Sequence, residues 1–281
     1  MTIPGYVPSA TETDPTRLAR AIRNLYEQIS LGVAPIDGFV AGLTLSNNGS
    51  DPNNDIDIAT GAAADSTASA IMRLESSLTK RLDAAWAAGT NQGGLDSGSK
   101  ANSTGYFVWL IRRTDPGVVD ALFSTSASSP TMPASYTQKR MIGWVRTDAS
   151  GNILRFSQYG NEFRWKAAVN DVNAAPVGTT LAVLRTLTVP NGVRVSAIVA
   201  CGGVAGAGAS GLWYLSSPDQ NDEAVTVAQV NVGFAGAVSA QAWIQATCRT
   251  NTSAQVRTRA IVTDLQLLIN TYGFIFPREL L

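Results

Sequence analysis

The chain has 281 residues, and its 21 Lys and Arg balance its 21 Asp and Glu, so the formal net charge is zero. This balance excludes proteins that bind nucleic acid through phosphate contacts, which need an excess of basic residues. Charged residues make up 15% of the chain, against about 25% in ordinary soluble domains. We therefore expect part of the surface to be hidden in an oligomer. A low-charge monomer rich in small polar residues is the alternative.

The sequence contains no histidine. This excludes Ser-His-Asp and Cys-His catalysis and His-ligated zinc, and leaves carboxylate chemistry such as glycoside cleavage. The two cysteines, Cys201 and Cys248, are too few for a disulfide framework or a Cys-based metal site. We expect two reduced, buried thiols, with a disulfide between neighbouring strands as the alternative. No metal, cofactor or catalytic residue is predicted.

Residues 1–41 form the first predicted segment, and they are not expected to contain a signal peptide, because a cationic start and an apolar run are missing. Asp14 is a suitable cap and Pro15 a suitable first residue for a helix over residues 15–31. This helix is too short to be stable alone, so it is predicted to pack on copies of itself, on its own chain or on another protein. Its apolar stripe, which supplies the candidate oligomerisation and anchor residues, consists of Leu18, Ile22, Leu25 and Ile29.

Residues 42–165 are predicted to be a β-rich domain with one short helix. Apolar residues alternate around the polar turn 47–52, which predicts a hairpin. The helix is expected near 79–88 and ends at Gly89. Further strands are predicted at 106–113, 117–124, 141–147 and 153–159.

The alternating pattern is lost over residues 166–178, which are predicted to be a linker between domains. Residues 179–281 then contain seven short apolar segments separated by turn residues every 8–14 positions. This spacing predicts an antiparallel β-sandwich, of jelly-roll type. The sequence therefore predicts a mainly β protein. No run of 18 apolar residues occurs, so no membrane insertion is expected.

Three motifs resemble functional sites without their full requirements. The glycines at 206, 208 and 211 have dinucleotide-loop spacing, but a strand rather than a helix is predicted to follow them. The acidic pattern Asp51–Asp57 lacks the glycine and the final glutamate of a calcium loop, so we predict a hairpin turn with Ile56 and Ile58 facing inward. Asp219, Asp222 and Glu223 cluster in one polar loop and are predicted to be solvated turn residues rather than a catalytic pair, while Asp115 and Asp120 flank a predicted hairpin.

The candidate contact residues lie in the C-terminal segment. The loops 202–211 and 216–223 are rich in glycine and polar turn residues, and they are predicted to form the tip of the sandwich. Loops of this kind often carry binding. The candidate receptor contacts are Trp213, Tyr214, Asp219 and Asp222. For the two aromatic residues, a position in the core is the alternative.

Several motifs between residues 54 and 165 occur in an order that resembles a domain of tailed-bacteriophage fibre and spike proteins. The segments that carry this resemblance are 54–59, 78–89, 93–96, 119–124, 132–136, 140–144 and 146–152. The closing segment 272–278 is similar to small β-domains that follow it, although Phe274 and Phe276 stand where the family usually shows a Trp-Asp pair.

The resemblance implies a non-enzymatic virion structural protein that is a homotrimer fixed to the particle at its N-terminus. In this interpretation the chain is made in the host cytoplasm and joins other virion proteins through residues 1–32. Its C-terminal domain would contact a host surface glycan or protein. Two alternatives stay open: a polysaccharide-cleaving tailspike, and an architectural collar, head-fibre or adaptor protein that never touches the host.

Overall fold

The structure, a computed structural model, describes residues 15, 37–115, 117–205, 211–226, 228, 232–234, 241–262 and 265–278. Apart from Pro15, the predicted helix 15–31 and its four apolar residues lie outside the described residues. Strands account for 55% of the residues and helix for 1%. The prediction of a mainly β protein is therefore confirmed.

Nineteen strands are found in the part of the chain that the structure describes. In chain order they are β1 (Val40–Gly42), β2 (Leu45–Asn47), β3 (Asp55–Ile58), β4 (Gly61–Ala64), β5 (Ile71–Leu74), β6 (Leu78–Ala85), β7 (Gln92–Leu95), β8 (Gly105–Arg113), β9 (Val119–Ser124), β10 (Tyr136–Arg146), β11 (Phe156–Tyr159), β12 (Glu162–Pro176), β13 (Val183–Thr186), β14 (Ser196–Ala205), β15 (Gly211–Ser216), β16 (Val232–Phe234), β17 (Gln241–Arg249), β18 (Gln255–Ala260) and β19 (Leu265–Ile275).

The N-terminal half contains a seven-stranded sheet in the order β10-β8-β9-β7-β6-β3-β2 and a three-stranded sheet in the order β1-β4-β5. Most neighbours are antiparallel, but β7 runs parallel to both β6 and β9. The predicted hairpin is present as β2 and β3, where Leu45 pairs with Ile58. Ile56 and Ile58 are fully buried, so the predicted inward orientation of these two residues is confirmed.

The predicted helix at 79–88 is wrong, because residues 78–85 form strand β6. Its side chains alternate between buried and more exposed positions, with Leu78, Lys80 and Leu82 on the buried face. The alternation was not recognised in the sequence because Lys80 occupies one of the buried positions, and a lysine is seldom buried unless it is paired. Its partner, Asp120, is 40 residues away in the sequence.

The C-terminal half is built from a five-stranded sheet, β11-β12-β19-β14-β17, and a four-stranded sheet, β13-β18-β15-β16. All strand pairs in these two sheets are antiparallel. The two sheets contact each other where β14 and β17 meet β15, and Val199, Cys201, Trp213 and Leu215 belong to the hydrophobic core. This arrangement is sandwich-like, as predicted, while the jelly-roll connectivity stays a prediction.

The predicted linker at 166–178 is mostly strand, because β12 continues to Pro176 and pairs with β19. Strand β11, assigned to the first domain from the sequence, lies in the same sheet. Beyond residue 165 one edge of β12 has no partner among the described strands. Such edge positions tolerate polar residues and proline, and these residue types led to the prediction of a linker.

The two halves share one core at their junction. Phe163 stacks on Phe274 with ring centroids 5.0 Å apart, and Trp144 lies edge-on to Phe274 at 5.7 Å. Arg278, which is 4% exposed, donates a hydrogen bond to the Gly42 carbonyl at 2.9 Å. The C-terminal end of the described chain therefore packs on the N-terminal sheets.

Candidate functional site

The outer face of the four-stranded sheet carries a polar pocket beside strand β15. Alternation along this strand turns Trp213 and Leu215 inward and Tyr214 and Ser216 outward. Tyr214 lies opposite Arg259 on the neighbouring strand β18. Residues that lie directly opposite each other share a sheet face, so the phenol ring and the guanidinium group flank one surface.

Trp213 is fully buried, so its prediction as a receptor contact is wrong. The glycine-rich sequence before it suggested an exposed loop tip. Gly202 and Gly203, however, belong to strand β14, and Gly211 begins strand β15. The strand predicted after the glycines is therefore confirmed. Residues 206–210 of that loop lie outside the described residues.

The polar loop 217–223 is held on the sheet by two arginines of β18. Arg257 donates hydrogen bonds from Nη2 to the carbonyls of Ser217, at 2.9 Å, and Gln220. Arg259 donates from Nη1 to Asp222 Oδ1 at 3.2 Å. These contacts fix the loop conformation, because the fork geometry of arginine orients every group that it binds.

Asp222 has several partners on this surface. The Ala182 amide donates a hydrogen bond to its Oδ2 at 2.9 Å. This bond, followed by the Arg259 guanidinium, lowers the pKa of the Asp222 carboxyl below its ordinary value. Asp222 is therefore ionised at neutral pH, and part of its bonding capacity maintains the loop.

Asp219 lies in the same loop but is used differently. It forms ion pairs with Arg194 at 3.3 Å and with Arg249, at the end of β17, at 3.2 Å. The contact with Arg249 links the loop of the four-stranded sheet to the five-stranded sheet. Because 28% of its side-chain surface is exposed, Asp219 keeps limited access to solvent.

The pocket has a volume of about 180 Å³ and mixed hydrogen-bonding groups. It is lined by Tyr214, Ser216, Gln220, Asn221, Asp222, Glu223 and Arg259. Of the four predicted contact residues, the structure brings Tyr214 and Asp222 together here and leaves Trp213 and Asp219 out. Arg259 was missed by the sequence analysis, although the alternation of Arg257 and Arg259 along β18 is the signal that could have placed them on the outer face.

The other acidic residues singled out in the sequence are engaged in local structure. Asp115 pairs with Arg113 at 2.8 Å on the surface, whereas Asp120 is buried against Lys80. In the Asp51–Asp57 segment, Asp51 accepts from the Asn54 amide at 2.9 Å. Asp57 accepts from the Thr79 hydroxyl at 2.6 Å.

Cys201 and Cys248 are both buried and free, so the predicted reduced thiols are confirmed and the alternative disulfide is wrong. In the register of β14 and β17, Cys201 lies opposite Ile244 and Cys248 lies opposite Ala197. Burial raises the pKa of Cys201 to about 12 and that of Cys248 to about 11. Neither thiol is a reactive nucleophile at neutral pH.

No family model, curated protein or solved structure matches this chain. Among the described residues, no helix is long and apolar enough to cross a membrane.

Proposed function

We propose that this chain is a structural component of a tailed-bacteriophage particle, a fibre or spike protein that acts without catalysis. The observation that carries this proposal is the ordered series of motifs between residues 54 and 165, which resembles the phage fibre domain. The mainly β architecture is compatible with that role. The chain would be anchored through residues 1–32 and would present its C-terminal sandwich outward.

The polar pocket beside Tyr214 is the surface that we assign to host contact. Tyr214 offers a rigid ring with a hydroxyl at its tip, and Arg259 and Glu223 add charged groups at the same place. A surface glycan or a polar protein segment could use this mixture of donors and acceptors. The volume of the cavity, about 180 Å³, suits a single residue of such a ligand.

Asp222 is poorly suited to be the general acid of polysaccharide cleavage. Glycoside cleavage needs one carboxyl group with a raised pKa to protonate the leaving oxygen. The pKa of Asp222 is lowered, and its oxygens accept from Ala182 and Arg259. A reducing-sugar assay on envelope glycans tests this point, and sustained release of sugar would support the spike alternative.

The position on a particle is tested by immunogold electron microscopy. Antibodies raised against the full chain are applied to particles released from cells that carry the coding sequence. We expect label at a fixed place on the tail, collar or head. Recovery of the chain only in the soluble fraction, with unlabelled particles, would refute the proposal.

Attachment to the particle is tested by removing residues 1–32. We expect a folded chain that no longer joins particles. Incorporation of the shortened chain at the normal level would place the anchor elsewhere.

Contact with the host is tested separately. We ask whether the purified full chain blocks adsorption of particles to host cells and whether Tyr214→Ala abolishes this inhibition. An architectural protein would not block adsorption.

A further inference from the structure

Strand β5 has one open edge. It is the last strand of the three-stranded sheet, and no described strand pairs with its outer side. Antiparallel partners alternate between hydrogen-bonded and non-hydrogen-bonded pairs. The Asp65 amide donates to the Ala70 carbonyl at 2.9 Å, so Arg73, which lies opposite Ala62, belongs to a non-hydrogen-bonded pair. Its N–H and C=O groups therefore point away from β4, toward the open edge.

A cavity of about 560 Å³ lies along this open edge. Ile71 and Arg73 line it from β5, while Val118 and Val119 line it from the start of β9. Buried Leu78 adds an apolar surface. A strand occupies about 4.8 Å across a sheet, about 10 Å through it and about 3.3 Å along each residue, which is roughly 160 Å³ per residue. This cavity, which we call the β5 slot, therefore has room for about three extended residues.

The charges that line the β5 slot are not balanced. Arg73 and Arg112 face it together with a single carboxylate, Glu75. In the part of the chain that the structure describes, neither the Arg73 guanidinium nor the Glu75 carboxylate has a hydrogen bond or an ion pair. Arg112 is held in place by Gln138, whose Oε1 accepts from its Nη1 at 2.6 Å. The slot thus has an excess of positive charge, and guanidinium groups match carboxylates in geometry.

The two faces of β5 set different requirements for a strand placed beside it. Met72 and Leu74 are buried, whereas Arg73 and Glu75 are exposed on the other face. Residues that lie directly opposite each other share a face of the sheet. An added strand would place apolar side chains beside Met72 and Leu74, and a side chain that complements a guanidinium beside Arg73. Charged residues at an edge exclude strands of arbitrary sequence, so the edge selects its partner.

We propose that the β5 slot binds an extended acidic segment of a partner protein, which adds a strand to the open edge of β5. The backbone of Arg73 bonds to the backbone of the segment, and its guanidinium pairs with an acidic side chain. In this mode of recognition the main-chain hydrogen bonds supply affinity and the alternate side chains supply specificity. The expected segment alternates apolar residues with polar residues, one of which is acidic.

Amide hydrogen exchange tests both the open edge and its occupation. In the free chain the Arg73 amide should exchange much faster than the Met72 amide, which faces β4. The probe is the peptide Val-Thr-Val-Glu-Val-Thr-Val, acetylated and amidated at its ends. At millimolar concentration it should slow exchange of the Arg73 amide at least about tenfold and leave the amides of edge strand β13 unchanged. A slow Arg73 amide in the free chain, or an amide unaffected by the peptide, would overturn the proposal.

Matched peptides and variants test the selection of charge. Fluorescence anisotropy gives the dissociation constant of the probe and of a peptide with lysine in place of its glutamate. Arg73→Gln removes the exposed guanidinium of the slot. The control is Arg155→Gln, an exposed arginine that does not line the slot and whose loss changes the net charge equally. Circular dichroism verifies that both variants are folded.

We expect the dissociation constant to rise about tenfold with Arg73→Gln and with the lysine peptide, and to stay unchanged with Arg155→Gln. Equal binding of the two peptides, or equal effects of the two variants, would contradict the proposal. A galacturonate oligosaccharide is the probe for the other class of ligand. If it binds more tightly than the peptide and leaves the Arg73 amide exchanging rapidly, the slot is a site for acidic sugars and the proposal is wrong. Because these measurements use only the purified chain, they are independent of whether the chain belongs to a phage particle.

Discussion

The buried ion pair between Lys80 and Asp120 offers the sharpest test of the fold. Lys80 Nζ lies 3.2 Å from Asp120 Oδ1, and the two side chains are 0% and 2% exposed. The ammonium group also donates to the carbonyls of Ala87, at 2.7 Å, and Gly89, at 3.3 Å. Asp120 accepts from the Gly89 amide at 2.8 Å. The pair thus fastens the turn after β6 to strand β9.

Asp120→Asn keeps the shape of the side chain and removes the only carboxylate that pairs with Lys80 in the described residues. The lysine charge then stays buried with neutral acceptors alone. Breaking one partner of a buried pair costs about 3–5 kcal/mol, a large share of the 5–15 kcal/mol that stabilises a typical domain. We expect a loss of that size in the free energy of unfolding.

Urea unfolding measures the loss, and the chain supplies a matched control. Arg81 and Asp83 on the same strand form an ion pair at the same distance of 3.2 Å, but with side chains 47% and 31% exposed. Asp83→Asn should change stability little, because solvent screens an exposed pair. If Asp120→Asn proves no more destabilising than Asp83→Asn, the reasoning about burial is wrong.

Replacing both partners tests the same reasoning in the opposite direction. Lys80→Met with Asp120→Leu removes both charges and retains apolar volume. Such replacements of buried pairs are often neutral or stabilising, so the double variant should be more stable than Asp120→Asn alone. A double variant that is less stable than the single one would contradict this reasoning about the unpaired charge.

The pH dependence of Asp120→Asn has a defined sign. Burial lowers the pKa of Lys80 below 10.5, and Asp120 partly offsets this effect. Without Asp120 the pKa falls further. Between the folded pKa and 10.5 the unfolded chain binds more protons than the folded chain, so stability rises with pH in that window. The difference in free energy of unfolding between Asp120→Asn and the unmodified chain should therefore become smaller as the pH approaches 10.5. A difference that becomes larger would refute the conclusion that Asp120 stabilises the Lys80 charge.

Three further predictions concern the C-terminal half. Trp213→Ala should lower the free energy of unfolding by about 3–5 kcal/mol, because its buried indole leaves a cavity, and thermal unfolding measures this. Tyr214→Ala should leave the melting temperature within a few degrees of the unmodified chain; a fall as large as that for Trp213→Ala would place Tyr214 in the core. Cys201 and Cys248 should not react with a thiol reagent at pH 8 until the chain unfolds, because both thiols are buried with pKa values of about 12 and 11. Rapid labelling of the native protein would contradict their burial.

The sequence alone determined the mainly β character of the chain and several of its strands. The strand predicted after the glycines is present as β15, because apolar residues alternate there between glycine and a polar turn. The inward positions of Ile56 and Ile58 were predicted for the same reason. Two reduced thiols were the expectation from the sequence, with a disulfide left open as the alternative. These features depend on local period and local turn chemistry, which the chain carries residue by residue.

Tertiary structure decided the features that depend on distant partners. Strand β6 was mistaken for a helix because Lys80 lies on its buried face, where only Asp120, 40 residues away, stabilises the charge. Residues 166–176 were mistaken for a linker because edge positions of a sheet tolerate polar side chains, and only pairing with β19 makes them a strand.

The candidate site divides in the same way. The sequence named Tyr214 and Asp222, which line the pocket, but it could not distinguish Trp213 from Tyr214, since both are aromatic neighbours on one strand. Which of the two faces solvent depends on where the second sheet packs. Arg259 joins them through its register on β18, and Trp243 is exposed on β17, the last strand of its sheet in the described part of the chain. Local sequence defines a strand, whereas pairing order and sheet packing define which side of it is available for binding.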